Sequence, residues 1–218
     1  MGSGRRRQRD YFALPRLMSH TDREQDPHRA PVALLLIDVV NAFDFPGAER
    51  MLDRAEAAAT RIAALKRRVK AAGYPVVYCN DHFGQWRENF EEMVERYCDE
   101  DAPGCRIVRK LRPDSDDYFV LKPRHSAFFE TPLPTLLDRF GAHTLILTGY
   151  AGDICVLASA MDAHLREFRL VIPEDCTASE DEAENEHMLA YARRVLGAQT
   201  PASGALDLDA LAEAPAED

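Results

Sequence analysis

Between residues 31 and 196, short unbroken apolar runs alternate with longer stretches in which apolar residues recur every three or four positions. The short runs are VALLLI (32–37), PVVYC (75–79), YFVL (118–121), HTLILTG (143–149) and RLVI (169–172). None shows the apolar–polar alternation of a strand with one wet face, so the pattern predicts strands covered on both sides. The longest intervening stretch, AERMLDRAEAAATRIAALKRRVKAAG (48–73), puts Met51, Leu52, Ala55, Ala59, Ile62, Leu65 and Val69 on one helical face and stops at Gly73. Similar periodicity predicts helices over 87–98, 132–139, 154–167 and 180–196. Strands alternating with helices imply an α/β fold, a mainly parallel sheet with helices on both faces.

That architecture says where to look for chemistry, because open parallel sheets bind ligands beyond the carboxyl ends of their strands. Asp38 follows the first run, Asn80 and Asp81 the second, Lys122 the third, a turn leading to Cys155 the fourth, and Glu174 and Asp175 the fifth. Taken singly, an Asp here is a turn former or cap, a Lys is solvated and a Cys is a small apolar residue. An acid, an amine and a thiol from three strands aimed at one edge favour a site instead. A free thiol has a pKa near 8.5 and needs help to act as a nucleophile. A helix beginning near Ile154 would offer its positive end, Asp38 could accept the thiol proton, and Lys122 could stabilise a thiolate.

Three blocks, ALLLIDVVNAF around Asp38, YFVLKPRHSAFFETPL around Lys122 and LILTGYAGDICVLASAMDAHLREFRLVIPEDCTAS around Cys155, resemble the isochorismatase-like cysteine hydrolases. That family includes nicotinamidases and N-carbamoylsarcosine amidohydrolases. The resemblance covers nearly all of residues 31–182, with the blocks in the family's order. It implies a three-layer Rossmann-like fold and a catalytic set of Asp38, Lys122 and Cys155. It also implies a cis peptide between Tyr150 and Ala151, an oxyanion hole made by the Ala151 and Cys155 amides, and substrate contacts from Phe43 and Trp86. Gly152 stands where many relatives have Thr. The activity implied is hydrolysis of a non-peptide C–N bond in a small amide, ureide or carbamoyl compound through a thioester. Alternatives are a catalytically silent binding or assembly protein and an isochorismatase- or nicotinamidase-type hydrolase. True isochorismatases commonly lack the cysteine. Nicotinamidases use an Asp-x-His and a second His to hold a metal, whereas CNDHFGQWREN has Asp81 and His82 adjacent and Phe83 where His is wanted. Asp81, His82 and His125 are the available ligands, and no metal or other cofactor is expected. Relatives assemble, so a homo-oligomer is expected.

The remaining composition narrows the partners. A net charge of −10 speaks against general nucleic-acid binding, despite RRRQR at residues 5–9. No GxGxxG follows the first strand, which argues against a nucleotide or flavin site. No apolar run reaches the ~20 residues of a membrane span, and no apolar stretch follows the charged start as a secretory signal requires. Five cysteines without a CxxC pair suit free thiols in the cytoplasm. The expected organisation is a flexible basic arm at 1–30, one hydrolase domain at 31–199 and an acidic tail at 200–218. The charged segment DEDAPGCRIVRKLRPDSDD (99–117) either covers the pocket or crosses the surface.

Overall fold

The computed structural model describes residues 29–98 and 102–213. Its sheet is wholly parallel: β1 (Val32–Ile37), β2 (Val76–Asp81), β3 (Tyr118–Lys122), β4 (Thr144–Tyr150) and β5 (Arg169–Val171) lie in the order β3-β2-β1-β4-β5. A two-residue strand, β6 (Thr177–Ala178), pairs with the end of β4. The helices are α1 (Leu52–Ala71), α2 (Phe90–Tyr97), α3 (Cys105–Lys110), α4 (Leu133–Phe140), α5 (Leu157–His164), α6 (Glu182–Val195) and α7 (Leu208–Glu213).

The central strand β1 is buried along its whole length and feeds two cores by the period-2 rule. Val32, Leu34 and Leu36 pack with α1, α2, α3 and α7, while Ala33, Leu35 and Ile37 pack with α4, α5 and α6. The result is three layers, α/β/α. On α1 the buried stripe is Ala55, Ala58, Ala59, Ile62, Leu65, Lys66 and Val69, mostly small residues toward one end. Each large aliphatic so buried contributes roughly 1.5–3 kcal/mol. Helix starts carry local signals too. Asn89 and Glu92 form a reciprocal capping box on α2, and Asp181 accepts from the Ala183 amide at the head of α6.

Register brings the strand ends level. Ile37 pairs with Cys79 on one side and Gly149 on the other, and Asp81 pairs with Lys122. Gly149 has φ +118°, and a Cβ there would run into the Ile37 carbonyl, so only glycine lets β4 turn so close to β1.

Three segments differ from the sequence reading. The helix expected over 154–167 begins as a π-helical turn at Gly152–Val156, and regular α5 starts only at Leu157. The charged segment after α2 carries α3, whose Ile107 and Val108 enter the core. It docks behind the β1 loop, where the Gly104 amide donates to the Ala42 carbonyl (2.8 Å). Its far end is pinned to α1. Lys66 Nζ sits 2.5 Å from Asp117, and Lys70 reaches Asp114, Asp116 and Asp117 at 2.6–3.0 Å. Packing also continues past residue 199: Gln199 bridges to Val171, and Leu206, Leu208 and Leu211 are buried. Arg68 ties this segment down by donating to the Ser203 carbonyl (2.7 Å) and to that of Leu206. Alternating apolar residues in an acidic stretch, GALDLDALAE, account for this packing. The basic arm expected at 1–30 falls almost wholly outside the described residues, as do 214–218. Among the described residues no helix is long and apolar enough to cross a membrane.

Candidate active site

Asp38 is the first residue beyond β1 and takes a left-handed conformation (φ +52°), which Asp tolerates better than most residues. Its amide still donates to the Cys79 carbonyl (3.0 Å), so the strand is pinned up to the turn. The turn is clamped by Asn80, fully buried, whose side chain accepts from the Val40 amide (3.0 Å) and donates to the Val40 carbonyl (2.7 Å). Asp38 is 5% exposed, and its Oδ1 accepts the Asp81 amide at 2.7 Å.

Lys122 closes β3 with no exposed surface. Its Nζ lies 2.7 Å from Asp38 Oδ2, 3.6 Å from Cys155 Sγ and 3.9 Å from Asp81 Oδ2, and it donates to the Arg124 carbonyl (3.1 Å). Cys155 comes from the π turn, where the Ala151 carbonyl accepts the amides of Ile154 (3.2 Å) and Val156 (3.1 Å). Such turns recur at functional sites. The Tyr150–Ala151 peptide is cis, and the Tyr150 hydroxyl donates to the Ala55 carbonyl (2.6 Å). Gly152 sits where a Cβ would collide with the Asn185 side chain of α6. Asn185 in turn links Thr177 and Ser179, and Ser179 Oγ accepts the Asp153 amide (3.1 Å). A polar brace thus fills the space behind the turn.

The electrostatics follow from burial. Desolvation pushes the Asp38 carboxyl up, and Lys122 draws it back only in part. Burial works against a charged Lys122, but Asp38 and Cys155 outweigh it and hold the ammonium on. The Cys155 thiol is pushed up to about 12, by burial first and then by the Asp38 charge, with Lys122 opposing. The resting arrangement is therefore a neutral thiol beside the Asp38–Lys122 pair, not a stored thiolate.

Other sequence candidates fall around this triangle. Phe43 is 2% exposed, also left-handed (φ +54°), and its ring meets Tyr150 edge-on at 5.7 Å, so it backs the Asp38 turn as a core residue. Trp86 is 76% exposed and lies over the His82 ring at 3.9 Å. The two line a cavity of about 410 Å³ together with Asp81, Gly84, Pro123, Arg124 and Phe129, next to the end of β3. The side chains weighed as metal ligands are engaged separately: His82 Nδ1 accepts the Gly84 amide (2.9 Å) and Asp81 Oδ1 that of Phe83 (2.7 Å). His125 turns its Nδ1 to Cys155 Sγ at 3.7 Å. Among the described residues the one group of ligand type drawn together is Asp114, Asp116 and Asp117, and there Lys70 supplies the cation. The His125 contact and the Asn80 clamp were not singled out from sequence. His125 lies three residues beyond the strand-end lysine, a spacing that a turn could fold back.

Comparison with known proteins agrees with the fold. The isochorismatase domain model matches residues 32–203. The chain is 38% identical over 171 residues to the uncharacterized isochorismatase family protein YaaI of Bacillus subtilis, covering 78% of this chain and 93% of that protein. It is 30% identical over 152 residues to maleamate amidohydrolase of Pseudomonas putida, covering 66% and 70%. The crystal structure of N-carbamoylsarcosine amidase from Thermoplasma acidophilum superposes with a TM-score of 0.61 at 26% identity, over 81% of this chain and 98% of that one.

Proposed function

The chain belongs to the isochorismatase family of hydrolases, and from that premise we propose that it is a cysteine-dependent amidohydrolase cleaving a non-peptide C–N bond in a small molecule. The observation that carries this reading is the contact triangle of Asp38, Lys122 and Cys155 at the level ends of β1, β3 and β4. Relatives described as maleamate amidohydrolase, ureidoacrylate amidohydrolase and N-carbamoylsarcosine amidase support the bond type.

Because the thiol rests neutral, Cys155 is activated by its base at the moment of attack. Asp38 takes the Sγ proton as sulfur bonds to the substrate carbonyl carbon, and Lys122 holds the charge whichever partner carries it. The amides of Ala151 and Cys155 receive the developing oxyanion. Asp38 returns its proton to the departing nitrogen as the C–N bond breaks, leaving a thioester. A water deprotonated by the same carboxylate then attacks the thioester and releases the acid. Trp86 and the cavity beside it hold the rest of the substrate.

The test is ammonia release from a panel of maleamate, ureidoacrylate, N-carbamoylsarcosine and nicotinamide, with the parent and Cys155→Ala. The reading expects turnover of at least one, lowered by at least ~10³-fold in the variant. Turnover that survives Cys155→Ala would overturn it.

A further inference from the structure

An unpaired cation stands at the mouth of the site. Arg124 lies two residues beyond Lys122, and its backbone is fixed there because its carbonyl accepts from Lys122 Nζ (3.1 Å). Its side chain lines the cavity of about 410 Å³ beside Trp86 and Phe129. Among the described residues its guanidinium has neither a hydrogen bond nor an ion pair, although the chain carries a net charge of −10. The carboxylate that shares the cavity is already engaged: Asp81 accepts the Phe83 amide on Oδ1 (2.7 Å) and turns Oδ2 toward Lys122 at 3.9 Å. Glu88 and Glu130 line the neighbouring cavity of about 290 Å³ beside Leu121, and Arg96 holds Glu88 at 2.6 Å.

A second donor is unspent in the same cavity. His82 Nδ1 accepts the Gly84 amide (2.9 Å), so the proton of the neutral ring is on Nε2. That N–H is buried, and among the described residues it has no acceptor. Buried donors are nearly always paired, and one left bare beside a site calls for a partner from outside the chain. Trp86 lies against the imidazole at 3.9 Å yet is 76% exposed, so an acceptor arriving at Nε2 shifts a ring that little else holds.

We infer that Arg124 is the specificity-determining residue of the site: its guanidinium, with His82 Nε2–H, holds a carboxylate at the end of the substrate remote from the scissile C–N bond. The substrate class is then a small amide or ureide that carries a carboxylate, and neutral amides are poor substrates. A guanidinium offers two parallel N–H donors that match the two oxygens of a carboxylate, a fit that a carboxamide of the same shape does not reproduce. A neutral amide filling the cavity leaves these donors unpaired, and sites built on such donors reject the analogue that lacks the acceptor. The inference rests on the amidohydrolase reading proposed above and names the substrate class of that site.

The test compares ammonia release from maleamate, ureidoacrylate and N-carbamoylsarcosine with release from the neutral carboxamide counterpart of each. Cys155→Ala supplies a second readout, titration with the same probes of the fluorescence of Trp86, the one tryptophan in the chain. In the parent, kcat/KM for at least one anionic probe should exceed that for its counterpart by about 10–100-fold, the range for a charged hydrogen bond. Arg124→Gln should bring that ratio to within about threefold, mostly by raising KM. Arg124→Lys, which keeps the charge but not the fork, should fall between. In Cys155→Ala the anion should move the Trp86 emission at lower concentration than its counterpart does, and adding Arg124→Gln should remove the difference. A parent that does not prefer the anion, or a preference that Arg124→Gln leaves intact, would overturn the inference. If no probe releases ammonia, or release survives Cys155→Ala, it is the cysteine amidohydrolase reading that fails. The Trp86 titration, which needs no turnover, then decides the carboxylate site by itself, and equal responses to anion and counterpart overturn it.

Discussion

Replacing Lys122 by Met keeps the volume of the buried stem and removes the one cation that the thiol and carboxylate share. On the proposed mechanism, that cation keeps Asp38 and Cys155 one proton short between them, which is the state that reacts. Without it, burial favours the doubly protonated state, and the missing proton must be removed against the lost attraction. For a unit charge 2.7–3.6 Å from the ammonium, Coulomb's law at an effective dielectric of about 20 gives about 5 kcal/mol. At 1.36 kcal/mol per decade, the reactive state at neutral pH falls by about 10³–10⁴-fold. The assay is kcat/KM for ammonia release from pH 6 to 10, paired with Cys155 alkylation by iodoacetamide. Lys122→Met should lose about three decades at pH 7 and recover with unit slope as pH rises, whereas the parent is flat there. Stability should fall by about 3–5 kcal/mol in urea, since a buried carboxyl loses its partner. Asp38→Asn added to Lys122→Met should recover part of that, because no ionisable partner is then stranded. A Lys122→Met enzyme within tenfold of the parent, with the same pH profile, would refute the shared-charge argument.

Three further outcomes follow from the fold. Gly149→Ala forces a Cβ into the Ile37 carbonyl at a left-handed φ, so it should abolish activity and lower the melting temperature sharply; Gly204→Ala, which meets nothing, is the control and should behave as the parent. Lys70 holds the carboxyls of Asp114 and Asp116 below the usual carboxylate range. Depressed carboxyls add stability above their unfolded pKa of about 4 and lose it as pH falls through the lower folded values. Urea midpoints measured from pH 5 to 2 should therefore fall less steeply in Lys70→Met than in the parent; equal slopes would remove this assignment. Leu211→Ala should cost about 2–4 kcal/mol in urea if α7 is part of the core, and under about 0.5 kcal/mol if it is a surface appendage.

Sequence and structure part company for physical reasons that differ by segment. β1 and β4 are readable as unbroken apolar runs because both faces are covered, and their order with the helices between them fixes a parallel sheet. The rule that chemistry lies at strand ends then leads to Asp38, Lys122 and Cys155, which meet within 3.6 Å of one ammonium. The π turn is not readable, because its widening comes from the ladder to the Ala151 carbonyl and from the Asn185 brace on another helix. Phe43 shows the same limit. Its left-handed backbone turns the ring inward against Tyr150, a direction that a loop aromatic does not announce. α3 and α7 are short, and their few apolar residues are diluted by charges, while the chain next to them is held by Lys66, Lys70 and Arg68 of α1, which bond to Asp114, Asp116 and Asp117 and to the Ser203 and Leu206 carbonyls. His125 reaches the sulfur only because β3 ends at Lys122 and the chain doubles back within three residues.

The most direct test of the central claim is a rapid acid quench during turnover of an amide substrate, followed by peptide mass mapping. The account predicts that the mass of the substrate less its leaving amine appears on the peptide containing Cys155, before ammonia release reaches its steady rate, and is absent from Cys155→Ala. Steady turnover with that mass on any other residue, or on none at every quench time under saturating substrate, would contradict it.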